Sequence, residues 1–204
     1  MKRLTAYPCA TMAFFLALPA AQAHAASSCP VEPVSVTPVE LTRMDSYIRN
    51  TQSWGPSGFV TTSLSERSGK RVTTTYLTQH PLLPGSLSRD GMRIDLSYDS
   101  PLEDIPRLKT IKRWRSGYTA SMDGEVLERG TFELRYKHST SIYVGACRYI
   151  VWVVQQQMSP EGRPGDIFEQ HFSPELSTII GTMKKSAEGK RLSGVFFDQI
   201  RVVE

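Results

Sequence analysis

Residues Tyr143–Gln157 read YVGACRYIVWVVQQQ, the most apolar run beyond the N-terminal segment. Read in period two, Ile142, Val144, Ala146, Ile150, Trp152 and Val154 share one side. Tyr143, Cys147, Tyr149, Val151 and Val153 share the other. A strand apolar on both sides is a central one, covered by a helix, a second sheet or an N-terminal segment. This run therefore places a sheet at the heart of the fold.

The flanking sequence agrees. GFVTTSLSE and KRVTTTYLTQ are Thr-rich, β-branched segments on either side of RSG, a hairpin pattern. After the Asp90-Gly91 turn, Met92, Ile94, Leu96 and Tyr98 alternate with Arg93, Asp95, Ser97 and Asp99, as in a strand buried on one side. Asp123-Gly124 joins two further arms, and in the second Phe132, Leu134 and Tyr136 oppose Glu133, Arg135 and Lys137. Beyond the MSPEGRPG loop, DIFEQHFS, LSTIIGTMK and LSGVFFDQIRVV continue as strands. One helix signal stands out. In TPVE (Thr37–Glu40), Thr is placed at N-cap, Pro at N1 and Glu at N3, and Leu41, Met44 and Ile48 follow at helical spacing. The expectation is a mainly β domain: an antiparallel curved sheet, half-barrel or small barrel, with one N-terminal helix over Pro38–Asn50. Outer-membrane barrels share the alternation, but several strands here are rich in Thr and Ser where a lipid-facing side would be apolar.

The N-terminus reads as a signal peptide. Lys2 and Arg3 precede the apolar stretch CATMAFFLALPAAQA, and small-x-small sites follow it, so residues 1–25 are set aside and 26–204 form a single β-rich domain. Ala-Ser-Ser before Cys29 lacks the Leu usual in a lipidation box. The implied location is the periplasm.

Cys9 leaves with the signal peptide, which leaves Cys29 and Cys147 in an oxidising compartment. One disulfide between them is the leading reading, with an intermolecular bridge or an inert thiol as alternatives. Removing Lys2 and Arg3 from the 24 basic residues leaves 22 against 20 acidic ones, too even a balance for a nucleic-acid partner.

A search for catalytic motifs finds no Gly-x-Ser-x-Gly elbow, no His-Glu-x-x-His, no Cys-x-x-Cys and no phosphate loop. His80, His138 and His171 are well separated. Glu169 and His171 share a strand face, but two ligands do not make a metal site, and neither metal nor cofactor is expected. Cys147 has no histidine within eight residues to act as its base.

Two features point to binding. Arg107, Lys109, Lys112, Arg113 and Arg115, with Trp114 and Tyr118 among them, form a candidate patch for a peripheral anionic membrane surface or other anionic surface; the alternative is a solvated face. Arg148, within an apolar run, is a lumen residue paired with a carboxylate such as Asp198, or a mouth residue.

The segments VGACRYIVWVV and FEQHFSPELSTII, over Tyr143–Ile180, resemble a pattern in uncharacterised periplasmic β-rich proteins of Gram-negative bacteria. There a Gly-x-Cys-x-Tyr strand precedes an aromatic-Ser-Pro-Glu-Leu turn. Some of these proteins look like half-open barrels of the lipoprotein-carrier type. The resemblance implies an envelope role and a curved sheet. The expected function is a non-enzymatic envelope protein that binds an apolar or amphiphilic ligand, or an envelope protein partner. The candidate ligand-binding residues are Trp152, Phe132, Tyr136 and Arg148, with Phe168 and Phe197. The alternatives are a small secreted hydrolase or metal-dependent enzyme using Glu169 and His171, and a structural or inhibitor-like module without a cavity.

Overall fold

The computed structural model describes residues 29–67 and 69–203; the signal peptide read over residues 1–25 lies outside them. Thirteen strands form one antiparallel sheet. They are β1 (Val39–Arg43), β2 (Ile48–Gly55), β3 (Gly58–Arg67), β4 (Lys70–Thr78), β5 (Ser86–Arg89), β6 (Met92–Tyr98) and β7 (Arg113–Met122). The remainder are β8 (Glu125–Val144), β9 (Cys147–Pro160), β10 (Asp166–Ser173), β11 (Thr178–Lys185), β12 (Arg191–Phe196) and β13 (Gln199–Val202). From β1 to β12 each strand pairs with its neighbours in sequence, and β13 returns to β1. The Asp90-Gly91 and Asp123-Gly124 turns have positive φ at both residues, the conformation of tight hairpins that such pairs favour.

The two edges of the sheet have an unusual relation. β12 is antiparallel to β11 and β13 is antiparallel to β1, so the two edge strands run in the same direction, joined through Phe197 and Asp198. They are successive halves of one bent strand, and among the described residues no ladder closes the sheet into a barrel. Arg43 reaches across the gap, its Nη1 donating to the Gly194 carbonyl at 2.7 Å.

The helix expected over Pro38–Asn50 does not form; these residues make β1, a turn and the start of β2. Two periodicities compete in this segment. Val39 and Leu41 alternate with Glu40 and Thr42, and strand geometry buries both apolar side chains completely. It also lets Glu40 pair with Arg201 at 2.7 Å, and leaves Met44 exposed. A helix would have buried Met44 with Leu41 and had no use for β13. The helix that does form is short: a 3₁₀ turn at Ile105–Arg107 runs into α1 (Leu108–Ile111), on the connection from β6 to β7. Ile105 and Leu108 anchor it in the core.

The central run is also divided. Val144 pairs with Cys147, so Gly145 and Ala146 are a two-residue turn between β8 and β9. Gly145 has φ 59°, and a Cβ there would lie 2.9 Å from the Asp198 carbonyl oxygen. Both faces of β9 are nonetheless buried, over different halves. Cys147, Tyr149 and Val151 join a cluster with Val39, Leu41, Phe59 and Ile180. Val154, on the other face, belongs to a second cluster with Phe132, Leu134, Tyr118 and Leu108. A bulge at Lys137 marks the change-over, since Tyr136 pairs with Val154 while His138 pairs with Val153.

Cys29 and Cys147 are joined by a disulfide, Cα–Cα 5.5 Å, which closes a separation of 118 residues. The Tyr149 hydroxyl donates to the Pro30 carbonyl at 3.1 Å, and the Val34 N–H donates to the Leu176 carbonyl at 2.9 Å. The segment after Cys29 is thereby laid over the first cluster. Burial, with Glu175 nearby, pushes the Tyr149 hydroxyl up to about 12, which keeps it a neutral donor.

Candidate functional site

The curved sheet leaves a cavity of about 530 Å³ between β2–β4 on one side and β9–β12 on the other. Alternation dictates its lining. Ile48, Asn50 and Gln52 of β2 face Gln156 and Met158 of β9 and Phe168 and Gln170 of β10. Exposure rises along each of these strands in the same direction. Gln52, Phe59, Gln156 and Gln170 are buried, their neighbours two residues on are half-buried, and Asp166 is exposed. The cavity therefore opens toward the turns joining β1 to β2, β3 to β4 and β9 to β10. Pro81, Leu83, Pro84 and Gly85 of the β4–β5 loop line its other end. A Cβ on Gly85 would stand 1.9 Å from the Leu77 carbonyl oxygen, so only glycine allows the loop to press this closely on β4.

The polar part of the lining is organised. Thr182 Oγ1 donates to Gln170 Oε1 at 2.6 Å, and Gln170 Nε2 donates to Gln156 Oε1. Thr178 Oγ1 of β11 donates to Gln52 Oε1 of β2 at 2.8 Å, a bond from one wall to the other. Asn50 Oδ1 is buried and, among the described residues, has no hydrogen-bond partner. Asp166, the one charged lining residue among the described residues, is paired with Lys184 at 2.6 Å at the mouth. Aromatic and aliphatic walls come from Phe59, Phe168, Phe197 and Ile179.

Of the residues read from the sequence as ligand-binding, Phe168 and Phe197 line this cavity. Phe132 does not. It is fully buried, with ring centroids 5.4 Å from Tyr98 and 6.3 Å from Trp114. Trp152 lines a separate groove of about 420 Å³ with Trp54, His80, Pro106, Phe172 and Pro174. Tyr136 stands edge-on to Trp152 at 6.1 Å and shares a hydrogen bond with Ser139. Arg148 is exposed beside Ser141 on the outer face of β9, and Asp198 is not its partner. The reason is the register: Tyr149 takes the inward position, so Arg148 must point out.

The basic cluster is dispersed by local pairing. Arg107 forms an ion pair with Asp104, and Arg113 with Glu133. Burial pushes the Glu133 carboxyl up, but hydrogen bonds from Arg113 and Arg135 outweigh it and hold its pKa below the ordinary value. Lys112 stacks its ammonium 4.7 Å from the Tyr136 ring. Lys109 and Arg115 are exposed and, among the described residues, have no carboxylate within 4.0 Å. The whole cluster lies at the end of the sheet opposite the cavity mouth, on the β6–β7 connection and the start of β7.

Glu169 and His171 approach to 3.8 Å, on the face of β10 opposite Phe168 and Gln170 and so outside the cavity. Among the described residues no third His, Cys, Asp or Glu completes a metal-ligand group. Glu169 is also held by Lys185. Burial lowers the pKa of His171, and of a second histidine, His80. The Nδ1 of His80 accepts the Leu82 N–H at 3.1 Å, and its pKa falls to about 4.

The cavity amides escaped sequence reasoning because Gln and Asn on strands read as solvent-facing. A usable signal was present in β3, where Thr61, Ser63 and Ser65 alternate with Val60, Thr62 and Leu64. Small hydroxyl side chains on the inward face leave space that larger residues would fill.

No family model, curated protein or solved structure matches this chain.

Proposed function

We propose that the protein is a non-enzymatic periplasmic envelope protein that binds a small amphiphilic ligand within the concave face of its sheet. One observation carries this reading: a cavity of about 530 Å³, open at one end and lined by both apolar and uncharged polar side chains. That size falls within the range of about 300–1,000 Å³ usual for small-molecule sites. The mixed lining suits a molecule with an apolar and a polar part, and the resemblance over residues 143–180 points in the same direction. A binding module without a cavity leaves this space unaccounted for. A hydrolase built on Glu169 and His171 would work on the outer face, away from the space a substrate could occupy.

The test is titration with N-phenyl-1-naphthylamine, an apolar fluorophore that brightens on leaving water. The wild-type protein is expected to bind it, and a Ser63→Phe variant, which fills the cavity, to lose binding while keeping a cooperative unfolding transition. Equal binding by both proteins, or none by either, would overturn the proposal.

A further inference from the structure

The lining of the cavity says more than that its ligand is amphiphilic. Among the described residues its single charged one, Asp166, stands at the mouth and is already neutralised by Lys184. An ionised group carried deeper would lose its hydration and find no countercharge, a cost of several kcal/mol on the order expected for an unpaired buried ion. The part of the ligand that reaches Gln156 and Gln170 must therefore be neutral.

Those side chains also specify what the neutral group does. Gln156 Oε1 is engaged by Gln170, and among the described residues Gln156 Nε2 has no acceptor, so it is an unused donor. Asn50 makes no side-chain hydrogen bond among the described residues; its Oδ1 is closed off from the cavity, which leaves its Nδ2, like Gln156 Nε2, as a donor toward the ligand. A hydroxyl can accept from either and still donate. Thr61, Ser63 and Ser65 line the same space with groups of equal versatility. A head group bearing several hydroxyls meets this wall, while an alkyl chain or the apolar face of a sugar ring meets Phe59, Phe168 and Phe197.

From this lining we infer that the ligand is an uncharged, polyhydroxylated amphiphile, of the class of a sugar carrying an apolar substituent. The inference rests on the cavity-binding reading above and assigns its head group.

The experiment compares four probes by calorimetry, each below its micelle concentration: octyl β-glucoside, octan-1-ol, sodium octanoate and glucose. Octyl glucoside is expected to bind at least tenfold more tightly than octanoate or glucose. Asn50→Leu removes an unsatisfied buried group and so should fold; in it the affinity for octyl glucoside is expected to fall about fivefold or more, and that for octan-1-ol, which brings a single hydroxyl, by less. Gln156→Leu should behave likewise, and Asn50→Leu decides the matter should that variant unfold. Octanoate or octanol binding as tightly as octyl glucoside would overturn the head-group assignment and leave the cavity reading standing. Failure of every probe, together with N-phenyl-1-naphthylamine, would remove both.

Discussion

Asp198 Oδ2 accepts the backbone N–H of Met44 at 2.8 Å, across 154 positions of sequence. The bond ties the β1–β2 turn to the bend where the two edges of the sheet meet. Asp198→Ala is expected to cost about 1 kcal/mol in urea unfolding, less than the roughly 1.5–3 usual for a hydrogen bond to a charged group because the site is exposed. Faster hydrogen exchange at the Met44 amide would accompany it; an unchanged exchange rate would show that the turn is held by other contacts.

Loss of the Cys29–Cys147 bond should be felt more strongly. It closes a separation of 118 residues, and chain entropy assigns such a loop about 4–5 kcal/mol. Cys147→Ser, or reduction of the wild type, should lower the unfolding free energy by an amount of that order. Non-reducing peptide mapping should recover the two cysteines in one linked fragment. Two free thiols in protein recovered from its own compartment would contradict the bond.

Acid should destabilise the fold through His80. Its pKa is depressed from 6.5 to about 4 in the folded state, so the unfolded chain binds the proton first. Above pH 6.5 the group makes no difference; as pH falls from 6.5 to 4 stability declines, by up to about 3 kcal/mol in all. His171, shifted in the same direction by burial, adds to the trend. His80→Asn keeps an acceptor for the Leu82 N–H and should flatten the profile measured by denaturant titration between pH 4.5 and 7.

If the basic cluster meets anionic surfaces, its members should contribute unequally. Arg107 and Arg113 are already engaged by carboxylates, whereas Lys109 and Arg115 are not. Replacing Lys109 and Arg115 with Ser should weaken sedimentation with anionic vesicles, in a salt-dependent way, more than replacing Arg107 and Arg113. No binding by the wild type would dispose of the patch.

At Gly145, alanine would need a left-handed conformation and place its Cβ 2.9 Å from the Asp198 carbonyl. Gly145→Ala should lower stability by about 1–3 kcal/mol. Gly124→Ala, where a Cβ has open space around it, should cost less despite its similar φ.

The contrast between what was legible and what was not follows from the range of the interactions. The Asp-Gly turns and the alternation of Met92 to Tyr98 act over a few residues, and both were plain in the sequence. Val39 and Leu41 were misread because the partner that makes them a strand, β13, lies far along the chain. The same holds for the site. Phe168 and Phe197 could be named as apolar residues with a ligand to meet, but Gln156 and Gln170 become site residues only when their wall of the sheet faces β2 and β3. Phe132 and Trp152 looked alike in sequence, and depth within the sheet separated them.

The bent strand carries a further consequence, for the order in which the molecule is made. Glu40 and Arg201 meet across 161 positions, and the β1 edge stays unsatisfied until β13 arrives. The other pairings join sequence neighbours and can form as hairpins emerge, whereas this one must wait for the slowest kind of loop closure. A chain still being synthesised would thus hold an open β1 edge, with its unpaired backbone groups, until β13 is made. That interval is when it is most exposed to strand-to-strand aggregation, and when a chaperone bound along β1 would protect it most.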